Sequence, residues 1–239
     1  MRILQPHTRP ADEAAARRIQ DELRARAEPF GPGPERVRTI AGVDVAYAGA
    51  AGAADDQLAA AIVVLDAFTL EVVDSAVAVG RAEFPYVPGL FAFRELPTVL
   101  DALERLDTVP DLVLCDGHGV AHPRRFGLAC HLGVLTGLPT AGVGKTRLVG
   151  EHAEPGAAPG DGADLVHEGE VVGRVLRTQR GVKPVYVSAG HRIGLDAACR
   201  HVLATAPRYR LPETTRQADA LCRQALREAG TESGSPALS

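Results

Sequence analysis

Arg36-Val-Arg-Thr-Ile-Ala-Gly-Val-Asp-Val-Ala-Tyr47 alternates apolar and other residues, and that period of two predicts a β-strand. Two more β-branched runs follow, Leu58 to Asp66 and Leu70 to Val79. So few residues separate them that a hairpin is the natural connection, and the chain opens as a three-stranded antiparallel meander. Downstream the period changes. Leu90 to Leu106 reads as a helix, Asp111 to Cys115 as a short buried strand, Arg124 to Thr136 as a helix and Pro139 to Val143 as another buried strand. Alternating strands and helices imply parallel pairing with right-handed crossovers. Further out, Val171 to Leu176 and Pro184 to Val187 predict strands, and Ile193 to Ala206 and Glu213 to Ala229 predict helices. Ala11 to Ala27 reads as an exposed N-terminal helix, and Gly150 to Gly162 as a Gly/Ala/Pro-rich surface loop. The expected architecture is one mixed α/β domain over residues 1–229, with 230–239 as a flexible tail.

Length and composition agree. The 239 residues are 46% hydrophobic and 23% charged, ordinary for a globular protein and unlike a disordered or collagen-like chain. The apolar runs are strand-length and Met1 to Pro10 lacks a secretory apolar stretch, so no membrane partner and a cytoplasmic location are expected. Cys115, Cys130, Cys199 and Cys222 are scattered without CxxC pairing, which argues against a disulfide or zinc framework. The net charge is −4, yet Val171 to Arg216 carries nine basic residues against Asp196 and Glu213. Such a local excess is one footprint of phosphate binding. An Arg-rich composition explains it equally well, since Lys145 and Lys183 are the only lysines.

Three acids stand where solvated acids are not expected. Asp44 lies inside an apolar strand and needs a cationic partner there. Asp116 ends the strand Asp111-Leu-Val-Leu-Cys and precedes Gly-His-Gly, at the strand end where open α/β sheets bind ligands. Glu95 opens a helix among apolar neighbours in Phe91-Ala-Phe-Arg-Glu-Leu-Pro97. A fourth, Asp219, borders the apolar arc of the last helix, whereas a surface acid belongs opposite it. Taken singly, each acid is explained by a cap or a salt bridge. Together they point to a divalent ion with oxygen ligands, Mg²⁺ or Mn²⁺, and to phosphate chemistry.

Six motifs carry a resemblance. They are Gly42-Val-Asp-Val-Ala-Tyr47, Phe84-Pro-Tyr-Val-Pro-Gly-Leu90 with Phe93-Arg-Glu-Leu-Pro97, Asp116-Gly-His-Gly-Val-Ala-His-Pro-Arg124, Gly142-Val-Gly-Lys145, Lys183-Pro-Val-Tyr-Val-Ser-Ala-Gly-His191 and Tyr209-Arg-Leu-Pro-Glu-Thr-Thr-Arg-Gln-Ala-Asp219. In that order they closely resemble the endonuclease V family, over about Ala11 to Ala229. The resemblance implies an RNase H-like mixed sheet with flanking helices in a single catalytic domain. It also implies a Mg²⁺-dependent endonuclease, with Mn²⁺ as a substitute, that nicks DNA at the second phosphodiester bond 3′ to deoxyinosine and acts as a monomer. By that likeness Asp44 and Asp116 ligate metal, Glu95 and Asp219 complete the acidic cluster, and Lys145 holds the attacking water or the scissile phosphate. Tyr86 matches a proline-bracketed wedge that fills the gap left by an extruded base. Pro88, Gly89, Gly117, Gly119, Gly142 and Leu148 match base-pocket positions, and His122 and His191 match contacts to the DNA backbone. Two departures stand near the site: Gly144 replaces the family's usual alanine, and Ala189 its usual proline.

Other chemistries fit less well. A P-loop through Gly142-Val-Gly-Lys-Thr146 requires glycine where Pro139 stands. Zinc at Cys115, His118, His122 and Cys130 has no known ligand spacing, and Tyr186 and Gly190 break the serine-hydrolase pattern around Ser188. Two alternatives stay open: cleavage of inosine-containing RNA, and a non-catalytic inosine- or branched-DNA-binding protein.

Overall fold

The computed structural model describes residues 7–49 and 56–232. Its elements are α1 (Glu13–Arg24), β1 (Thr39–Tyr47), β2 (Gln57–Asp66), β3 (Val72–Arg81), α2 (Ala92–Glu104), β4 (Leu112–Asp116), α3 (Leu128–Thr136), β5 (Thr140–Gly144), β6 (Gly162–His167), β7 (Glu170–Leu176), β8 (Val185–His191), α4 (Leu195–Ala204) and α5 (Glu213–Glu232). The strands form one sheet in the order β3-β2-β1-β4-β5-β8-β7-β6. β1, β2 and β3 are the antiparallel meander, and β4 and β5 add in parallel beside β1. The RNase H-like order expected from sequence is the one found.

Strand alternation divides the core in two. Ala41, Val43, Val113 and Cys115 face a cluster with α2 and α3, while Ile40, Leu112 and Leu114 face one with α4 and α5. Truncating a fully buried side chain such as Leu114 to alanine costs about 2–5 kcal/mol. The same alternation turns Asp44 and Asp116 toward the α5 face. Val43 pairs with Cys115 in the parallel register, so continuing it sets Asp44 beside Asp116. Gly42 lets α5 lie across β1, because a Cβ there would stand 2.1 Å from the Thr214 carbonyl carbon.

Four features differ from the sequence expectation. β8 joins β5 antiparallel and β7 and β6 extend the sheet antiparallel, so parallel pairing is confined to β1, β4 and β5. β6 went unread because it buries only Leu165 fully and shows no clear alternation. Its hairpin signal was the two-residue turn Glu168-Gly169, where both residues have positive φ, 55° and 81°. α3 begins at Leu128 rather than Arg124, after a loop in which Arg125 is left-handed at φ 54°. Finally, α1 is not merely exposed, since it buries Ala16, Gln20 and Leu23. The expected tail overlaps α5, which runs to Glu232, and residues 233–239 lie outside the described residues.

Candidate active site

The centre is built from the ends of three adjacent strands. Asp44 from β1 is 7% exposed, and Asp116 ends β4. Lys145, one residue past β5, hydrogen-bonds Asp116 Oδ2, and its Nζ stands 4.0 Å from Asp44 Oδ2. Burial, then the Asp116 charge, pushes the Asp44 carboxyl up to about 9; Lys145 and the Val45 N–H oppose this. Lys145 is raised, since the two aspartates and Asp219 outweigh its partial burial. A carboxylate so reluctant to ionise alone demands a cation.

Glu95 occupies the first turn of α2 and is 5% exposed. Burial, then the Asp116 charge, raises it to about 8. The Tyr47 hydroxyl donates to Glu95 Oε1 at 3.4 Å, and the Arg94 guanidinium stands 5.5 Å from the centre of the Tyr47 ring. Arg94, itself 1% exposed, pairs with Asp56 at 3.2 Å and donates to the Phe84 carbonyl at 2.6 Å. Glu95 is thus anchored to the segment that carries Tyr86.

A cavity of about 470 Å³ opens beside these acids. Glu95 and Asp116 form one wall, Tyr86, Pro88 and Gly89 the rim, and Gly117, His122 and Leu148 line it as well. Tyr86 is 52% exposed and rests edge-on against Phe91 at 5.8 Å. Burial, then the neighbouring His118, lowers His122 to about 4, with a hydrogen bond to the Gly89 backbone working the other way.

Not every expected residue joins. Asp219 is turned to Arg223, whose Nε donates to both its oxygens at 2.9 and 3.0 Å, although its charge reaches Lys145. Among the described residues no three acids, histidines or cysteines group as metal ligands; of the four expected acids, Asp44 and Asp116 share Lys145, Glu95 feels the Asp116 charge, and Asp219 acts on Lys145 from farther off. Gly119 and Gly142 are not on the cavity wall. A Cβ on Gly119 would stand 2.0 Å from the Ala189 carbonyl oxygen and one on Gly142 2.6 Å from the Gly119 nitrogen, so both serve close backbone packing. His191 pairs with Thr140 at the opposite end of β5 from Gly144. It is buried and its Nδ1 accepts from the Glu28 N–H.

Sequence reading weighed His118 only as a zinc ligand and gave Gln20 no role, and both line the cavity. The signal for His118 was Gly144: an alanine Cβ there would stand 2.4 Å from His118 Cε1. Four of the nine basic residues between Val171 and Arg216 pair with acids, Arg174 with Asp164 and Asp196, Arg177 with Glu154, Arg192 with Glu28 and Arg216 with Glu213. No helix among the described residues is long and apolar enough to cross a membrane.

The donor set fits a hard divalent ion. Mg²⁺ is commonly held by one or two carboxylates, with water and substrate phosphate supplying the rest, and Asp44 and Asp116 are such a pair.

Comparison with known proteins agrees with this geometry. The family model for endonuclease V matches residues 21–220. An endonuclease V from Streptomyces avermitilis is 60% identical over 224 residues, spanning 92% of this chain and 95% of its own. The crystal structure of the endonuclease V from Bacillus subtilis has a TM-score of 0.89 at 34% identity, covering 98% of this chain and all (100%) of that one. The Ciona intestinalis endonuclease V, crystallised with a 24mer DNA containing an inosine followed by a ribo-adenosine, has a TM-score of 0.77 at 27% identity, covering 91% of this chain and 100% of that one. On sequence and on structure, this chain belongs to the endonuclease V family.

Proposed function

We propose that this chain is a Mg²⁺-dependent endonuclease that recognises deoxyinosine in DNA and hydrolyses the second phosphodiester bond 3′ to it, leaving a 3′-hydroxyl and a 5′-phosphate. One observation carries the reading. A cavity lined by Tyr86 and Phe91 shares Asp116 with the Asp44–Asp116 carboxylate pair, so a base held in the cavity leaves its own strand running past the acids. The inosine-containing DNA in the Ciona complex supports the substrate.

Asp44 and Asp116 would hold the metal, which when bound supplies positive charge to phosphate oxygens and eases deprotonation of water. Lys145 holds its ammonium at Asp116, where it offsets the charge gathering on phosphorus and the leaving oxygen. Glu95, protonated by its surroundings near neutral pH, donates or accepts a hydrogen bond at the cavity wall. Tyr86 stacks into the helix where the base has left, offsetting an extrusion cost of about a few kcal/mol. The chain acts as a monomer in the cytoplasm.

A second reading is cleavage of inosine-containing RNA, favoured by the ribonucleotide that follows the lesion in the Ciona complex. A nicking assay with Mg²⁺ on inosine, uracil and mismatch substrates, each as DNA and RNA, tests both. Selective cutting of inosine DNA at the second 3′ bond supports the proposal. Cutting confined to RNA overturns it in favour of the second reading, and no Mg²⁺-dependent cutting overturns both.

A further inference from the structure

Gln20 is a polar residue 1% exposed on α1, at a position where packing alone calls for an apolar side chain. Its Nε2 donates to the Gly89 carbonyl at 2.9 Å and to the Phe126 carbonyl at 3.3 Å. Two carbonyl partners fix the amide orientation, because only the nitrogen can face both. Oε1 is left buried without a partner, a cost set against the two donated bonds. What the glutamine supplies that an apolar side chain of the same volume cannot is a donor to the Gly89 and Phe126 carbonyls.

The two carbonyls it joins belong to two separate chain segments that both line the cavity. Gly89 closes Tyr86-Val-Pro-Gly at the rim, and Phe126 leads into α3. Around this contact α1 forms the bed of the rim segment, with Ala16 and Ile19 packed against Phe84, Val87 and Leu90. The side chain thus ties the end of the Tyr86 segment to the Phe126 segment that leads into α3, while Tyr86 itself stays exposed.

We infer that Gln20 is a positioning residue that sets the height of the Tyr86 wedge over the lesion cavity through the Gly89 carbonyl. The inference rests on the reading of Tyr86 as a wedge. Its consequence is specific to paired DNA, since a single strand has no partner base to hold apart. The amide acts before the chemical step and touches neither metal ligand nor phosphate.

The test compares wild type, Tyr86→Ala, Gln20→Met and Gln20→Asn on the same inosine sequence as duplex and as single strand. Gln20→Met keeps the volume and loses the donor; Gln20→Asn keeps the amide but is one methylene too short to span both carbonyls. Loss of one or two hydrogen bonds predicts a fall of about tenfold in kcat/KM on the duplex and under about twofold on the single strand. A 2-aminopurine placed opposite the lesion reports unstacking directly, and its signal falls in parallel. If Tyr86→Ala is not duplex-selective, the wedge reading fails. If Tyr86→Ala is duplex-selective while both folded Gln20 variants lose equally on the two substrates, or only melt earlier with unchanged rates, this inference alone is overturned. Should Gln20→Met not fold, Gln20→Asn and the 2-aminopurine signal decide.

Discussion

Lys145 Nζ lies 4.0 Å from Asp44 Oδ2 while hydrogen-bonding the neighbouring Asp116, so one ammonium serves two carboxylates that would otherwise repel each other. The side chain occupies the position toward which both acids direct negative charge. It is therefore both a partner for the phosphate and a rival of the metal.

Replacing Lys145 with methionine separates the two roles. Nicking of inosine duplex falls by about 10²–10³-fold, the usual cost of removing a charge aimed at the transition state. Divalent-ion affinity, read as the Mg²⁺- or Mn²⁺-dependent rise in melting temperature, stays equal or tightens because the ammonium no longer competes. A parallel loss of ion binding would show that Lys145 only supports the metal site.

In metal-free protein the acids make stability fall as pH rises. Asp44 goes from its ordinary 3.8 to about 9 and Glu95 from 4.5 to about 8, so across that interval the folded chain keeps protons that the unfolded chain has released. His122 acts oppositely at lower pH. Its value falls from 6.5 to about 4, so its contribution is lost as pH drops through that window. Chelated protein should melt at lower temperature at pH 9 than at pH 7, and Mg²⁺ should raise the melting point more at pH 9. A metal-induced shift independent of pH would contradict proton release on binding.

Gly144→Ala places a Cβ 2.4 Å from His118 Cε1 and forces the imidazole to move within the cavity wall. We expect kcat/KM on inosine duplex to fall about tenfold, with the His118→Ala, Gly144→Ala double variant recovering most of the effect of adding the methyl group. Strictly additive losses would show that the two positions act independently.

Much of this was legible from sequence because the decisive signals are local. The period-two pattern of β1 and the apolar run of β4 put Asp44 inside one strand and Asp116 at the end of another, and the structure sets those strands side by side. Glu95 was readable as an acid in an apolar helical turn. The rest depended on tertiary contacts that no local pattern records. Asp219 lies on the predicted helix border but turns to Arg223, one helical turn along. Gly119 and Gly142 sit in recognisable motifs yet serve backbone packing. Gln20 looked like one more polar residue of an amphipathic helix, since its burial comes from the Tyr86 segment that α1 carries and not from its own neighbours.

The account turns on the Asp44–Asp116 pair, and Asp116→Asn tests it most directly. The variant keeps the size of the side chain and removes one negative charge. Its nicking of an inosine duplex with saturating Mg²⁺, measured on protein shown to be folded by its melting curve, should fall at least about 10³-fold, in line with losing a metal-bound carboxylate from a phosphoryl-transfer site. A folded Asp116→Asn protein that nicks at the wild-type rate would contradict the assignment of this pair as the catalytic centre.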